Sequence, residues 1–161
     1  MKIMVQLFLC LFLLNCSTSS DSNRGDNQIV DFEIILDSSR FFENENLITV
    51  VLNNQEEEQS FLHNTPRNQY WTSSEGPFFF DFPEVDYQNY MVIGILLGMR
   101  GIGNTEIRID SIEKVSGTLI VKSTEILPST QEDLVGYPAV MVKIKNLNLP
   151  VVFEDIKFLK E

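Results

Sequence analysis

Cysteine is scarce in this chain of 161 residues: Cys10 and Cys16 are the only two, and both fall within the first sixteen positions. The chain beyond Cys16 therefore has no thiol. Disulfide frameworks, thiol nucleophiles and cysteine-ligated metals are excluded from it. Histidine is rarer still, with His63 alone. A Ser-His-Asp site also needs a strained nucleophile turn, and no Gly-x-Ser-x-Gly occurs. His63 reads instead as a cation near the end of a helix. Basic residues are few, 12 Lys and Arg against 23 Asp and Glu, for a net charge of −11. Such a surface repels nucleic-acid phosphates and anionic lipid heads, so no nucleic-acid partner is expected. The acidity reads first as solubility, with a cationic partner or bound cations as the functional alternative. No apolar run reaches the ~20 residues that a membrane-spanning helix needs, and no internal repeat is present.

The N-terminus carries the most informative pattern. Lys2 supplies a positive start, Ile3 to Leu14 is apolar apart from Gln6, and Asn15-Cys16 is followed by Ser17-Thr18-Ser19-Ser20-Asp21. This resembles a bacterial lipoprotein signal, with an apolar core of the ~7–15 residues typical of cleaved peptides. The expected division is a signal peptide over 1–15, a polar tether over 16–27 and a single domain over 28–161. Cys16 would be the lipidation site and the membrane attachment, since each buried methylene contributes ~0.8 kcal/mol. The alternative is an ordinary secretory peptide with an incidental cysteine, which Asn15 favours over the usual small residue. Ser17 rather than Asp directly after the cysteine points to the outer membrane of a cell envelope.

The remaining residues have strand periodicity. Val30, Phe32, Ile34 and Leu36 alternate with Asp31, Glu33 and Asp37. Leu47 to Leu52 and Met91 to Leu97 are apolar on both faces, the second being suited to a sheet centre. Ile107 and Ile109 alternate with Glu106, Arg108 and Asp110, Ser116-Gly117 turns the chain back into Thr118 to Ile126, and Ala139 to Ile144 and Val151 to Phe158 follow. Between the second and third of these, Asn54 and Glu57 form a capping box for a short helix that ends before Pro66. The expected fold is mainly β (α+β), an antiparallel sheet or sandwich-like domain of about seven or eight strands with one short helix.

Three features invite chemistry. Gly98 to Asn104 is rich in glycine, but a phosphate cradle needs a helix directly after it, and a strand follows. It reads as a hairpin turn whose tip, with Arg100 and Ile102, is a candidate partner contact. Glu56, Glu57 and Glu58 diverge by ~100° per residue on a helix and cannot face one metal. Asp81, Glu84 and Asp86 do not match an EF-hand spacing, so no metal or other cofactor is expected, with calcium in that loop as the alternative. Aromatics are concentrated instead: 11 of the 15 beyond Cys16 lie between Phe41 and Tyr90. They read mainly as core, with Tyr70, Trp71 and Phe79 as candidate surface contacts.

From about Asn46 to Glu154 the chain resembles the C-terminal domain of the protease complex subunit PrcB family. The resemblance lies in the strand Leu47 to Leu52, the acidic-start helix Gln55 to Leu62 with Trp71 beyond, and Val85-Asp86-Tyr87 leading into Met91-Val92-Ile93. It continues through Gly98 to Ile109, Pro138 through Val142-Lys143-Ile144, and Pro150-Val151-Val152-Phe153. The chain departs from the family at its Gly-rich turn, where Pro-Thr-Gly-Gly-Tyr is replaced by Gly101-Ile102-Gly103-Asn104-Thr105, and after Pro138, where an aromatic is replaced by Ala139. The resemblance implies a non-enzymatic accessory or assembly subunit of a secreted or envelope protease. The alternatives are a carbohydrate-binding or structural envelope lipoprotein using the aromatic-rich loop, and a hydrolase using acidic residues.

Overall fold

A computed structural model describes residues 27–39, 41–66, 71–73, 76–78, 81–101, 104–129 and 135–161, with the backbone alone at 71–73 and 76–78. Its strands are β1 (Gln28–Ile29), β2 (Phe32–Ser38), β3 (Ile48–Leu52), β4 (Trp71–Ser73), β5 (Gly76–Phe78), β6 (Tyr90–Leu96), β7 (Glu106–Val115), β8 (Thr118–Leu127), β9 (Ala139–Lys145), β10 (Val151–Phe153) and β11 (Lys157–Lys160). The helix α1 spans Gln55–Asn64. The fold is mainly β, as expected: a four-stranded sheet, β2-β9-β6-β3, faces a five-stranded sheet, β1-β7-β8-β10, in which β11 also pairs with β8. A separate two-stranded pair, β4 and β5, lies outside both.

Side-chain alternation explains the layers. Met91, Ile93, Ile95 and Leu97 at β6, with Val140, Val142 and Ile144 on β9, point to one face of the four-stranded sheet. They meet Ile107, Ile109 and Ile112 of β7 and Leu119 and Val121 of β8, forming the core of the sandwich. Val92, Leu96, Ala139 and Met141 point to the opposite face, where Phe41, Phe42 and Leu52 close a second core beneath Phe61 and Leu62 of α1. β6 and β9 are thus covered on both faces, which is why they read as continuous apolar runs. Phe41 and Phe42 are both buried despite being adjacent, because they lie outside the regular strands. Their rings meet edge to face at 4.7 Å, and Phe42 meets Phe61 at 5.5 Å.

Two bulges break the simple alternation. In β2, Ile34 pairs with Val142 and Leu36 with Met141, so the extra Ile35 moves Leu36 to the second core and leaves Ile34 exposed. In β7, Ile109 pairs with Ser123 and Ser111 with Lys122, so the extra Asp110 lets Ile112 return to the same face as Ile107 and Ile109. Ser116 and Gly117 both have positive φ, 49° and 80°, as a two-residue hairpin loop between β7 and β8 requires.

The expected hairpin at Gly98 to Asn104 is not formed. β6 pairs with β3 and β9, whereas β7 pairs with β1 and β8, so this segment carries the chain from one sheet to the other. A strand buried on both faces takes a central place, flanked by β3 and β9, and leaves no edge for β7. Gly98 starts the departure at φ 79°, where an added Cβ would stand 2.6 Å from the Glu45 carbonyl oxygen. The closing segment also differs: it forms two strands, β10 and β11, both parallel to β8, with Ile156 packed on the core between them.

Candidate functional site

A shallow, open concavity runs between β3 and α1. Asn54 caps the helix, its side-chain oxygen accepting from the Glu57 N–H at 2.9 Å. Glu57 accepts from the Asn53 backbone N–H at 2.7 Å, one residue farther back than a strict capping box, and also from the Asn53 and Asn54 side-chain amides. The opposite end is closed by the Thr65 N–H donating to the Phe61 carbonyl. Phe61 and Leu62 dock the helix on the second core, while none of its residues is fully buried. A further tie comes from Tyr87, whose hydroxyl donates to Glu58 at 2.8 Å. Burial, then that hydrogen bond, holds the Tyr87 pKa above its ordinary value.

This docking leaves a groove of about 540 Å³ lined by Val50, Val51, Leu52 and Phe61, with Glu56 and Glu57 among its polar residues. Val50 and Leu52 face the helix side and Val51 the sandwich side. A groove touching all three runs along the edge of β3. That edge is unpaired among the described residues, because β3 ends the sheet order and pairs with β6 only.

The acidic residues beside the groove have no cationic partner among the described residues. Glu57 is bonded to asparagine amides and Glu58 to Tyr87, while the ion pairs among the described residues are Arg100–Glu125, Arg108–Asp110, Lys122–Glu113 and Lys143–Glu33. The three glutamates lie in the first turn, where the helix dipole offsets part of their repulsion.

Of the contacts named from sequence, Arg100 alone has a described side chain. It lies in the crossover between the sheets, bridged through its backbone to Gly136. Its guanidinium grips Glu125 with two bonds, Nε to Oε1 at 2.7 Å and Nη2 to Oε2 at 3.2 Å. Glu125 is 4 % exposed and Arg100 31 %, so the arginine neutralises a carboxylate in the end of the sandwich and keeps one edge to solvent. Trp71 begins β4, its backbone paired with Phe78. Cys16, Tyr70, Phe79 and Ile102 lie outside the described residues. His63 is exposed in the last turn of α1.

No group of three or more metal-ligating side chains is assembled among the described residues. Asp86 is engaged by its own turn, accepting from the Gln88 N–H at 3.0 Å and the Asn89 amide at 2.8 Å. No described helix is long and apolar enough to cross a membrane. The edge of β3 was missed in the sequence. Its signal was present in a strand without charge or proline, followed at once by an acidic helix. Compared with protein families, curated proteins and solved structures, the chain has no match.

Proposed function

We propose that this chain is an exported, lipid-tethered protein-binding module with no catalysis of its own, serving as an accessory or assembly subunit of a secreted or envelope protease. The observation that carries the binding part is the open groove along β3, which combines an unpaired strand edge with apolar and acidic walls. Unpaired backbone groups on a strand edge are a template for another chain. The tether rests on the apolar segment ending at Cys16, and the choice of a protease rests on the resemblance of Asn46 to Glu154 to the PrcB family. A tether of this kind acts by raising the local concentration of what the domain holds.

The test is to purify the C-terminally tagged, full-length protein from its own host in detergent and identify what accompanies it by mass spectrometry. A stoichiometric protease or its propeptide is expected. Recovery of the lipoprotein alone would overturn the accessory-subunit reading.

A further inference from the structure

The edges of the two sheets are not alike. β1 has two residues. β2 carries Glu33 and a bulge. The part of β7 beyond β1 carries Glu106, Arg108 and Asp110 and a bulge. β10 has three residues, and β11 has four, two of them lysines. Short length, charge and bulges are the devices that stop an edge from recruiting another strand. β3 has none of them. Its five residues, Ile-Thr-Val-Val-Leu, are uncharged and pair with β6 in unbroken register from Ile48↔Leu96 to Leu52↔Val92. Among the described residues every other edge of the two sheets is protected, and the unprotected one borders a groove.

Charge selects the occupant. Glu56 is exposed beside the groove and has no hydrogen bond or ion pair among the described residues, and Glu57 is held there by neutral amides. A second copy pairing through β3 would bring its own Glu56 and Glu57 to the same seam, in a chain of net charge −11. Two chains of that net charge repel one another, which opposes self-pairing, whereas Lys or Arg would meet carboxylates that lack a cation among the described residues.

We propose that β3 binds an extended, basic segment of another protein, which adds as a fifth strand to the four-stranded sheet. The segment pairs along about five residues, roughly 17 Å. Alternate apolar side chains enter the groove against Val50 and Phe61, and a Lys or Arg reaches Glu56. This rests on the protein-binding reading and adds to it the place, the backbone geometry and the charge of the partner.

The test uses the full-length protein and a random library of nine-residue peptides. Enriched peptides are expected to be rich in Lys and Arg alternating with apolar residues. Fluorescence anisotropy should show binding weakened at least tenfold by Thr49→Lys, which places a charge on the exposed edge, and several-fold by Glu56→Lys or by 0.5 M salt. Since Thr49→Lys could disturb the sheet, a second measurement leaves the protein untouched. The best peptide, N-methylated at every second residue, keeps its side chains and charge but loses one row of backbone donors. It should lose binding at least tenfold in one of the two methylation registers and much less in the other.

No enriched peptide, peptides indifferent to Thr49→Lys and Glu56→Lys, or equal binding by both N-methylated forms would each overturn the proposal. Dimerisation of the free protein abolished by Thr49→Lys would overturn it in favour of self-pairing. If a host protein co-purifies equally with wild type and both variants, the groove is refuted while the protein-binding reading survives. If none co-purifies and no peptide binds, both fail.

Discussion

At the scale of single residues, the Arg100–Glu125 pair has the sharpest energetic consequence. Glu125 is 4 % exposed, so removing its partner leaves a charge with neither water nor a counter-ion. Breaking a buried pair typically costs 3–5 kcal/mol, and the partial exposure of Arg100 moves the expectation to about 2–3 kcal/mol. Urea unfolding of Arg100→Ala should show that loss as a lower midpoint. Arg100→Met with Glu125→Leu should recover most of it, because the unpaired charge is gone. Asp110 makes a different prediction. Burial pushes its carboxyl up, but the Thr124 hydroxyl at 2.6 Å and the Arg108 guanidinium outweigh this and hold its pKa below the ordinary 3.8. A depressed carboxylate stabilises the fold above its unfolded pKa and ceases to do so as pH falls through the folded one. Glu113 is held low in the same way by Lys122 and Ser111. Stability to urea should thus be level from pH 7 to about 5 and fall below about 4. Asp110→Asn should make that acid limb shallower, and an unchanged limb would show that Asp110 does not contribute to it.

At the scale of elements, α1 depends on its ends because its sides bury little. With Asn54 holding the Glu57 N–H, Asn54→Ala should cost about 1 kcal/mol and raise amide exchange over Gln55–Asn64 more than in β6 or β9. This helix was legible in the sequence because its signals are local: an Asn cap, three acids, two apolar residues and a proline stop. The apolar strands β3, β6 and β9 were legible for the same reason. The bulges at Ile35 and Asp110 were not, since nothing local distinguishes an inserted residue from continued alternation. Nor was the crossover at Gly98. Glycines promised a turn, but which sheet the next strand joins is decided by how β6 buries both faces, a property of the whole fold. The split of the closing segment into β10 and β11 likewise depends on β8, whose ten residues pair with both.

At the scale of the whole molecule, two apolar cores on either side of one sheet give a β sandwich that needs no disulfide. The candidate site was only partly legible. The acidic helix was noticed, but as a metal question with a negative answer. The edge of β3 becomes visible only once the sheet order places that strand outermost. The proposed tether is tested by Cys16→Ser, which should move the protein from the membrane to the soluble fraction. Retention in the membrane would contradict lipidation there. The proposed recruitment of a partner strand by β3 can be followed at the strand's own amides. Amide hydrogen exchange of the full-length protein, with and without a saturating selected basic peptide, addresses it most directly. Slower exchange is expected at Ile48–Leu52 and along α1, with β10 and β11 unchanged. Unchanged exchange in β3 with the peptide bound, or protection confined to another edge, would contradict it.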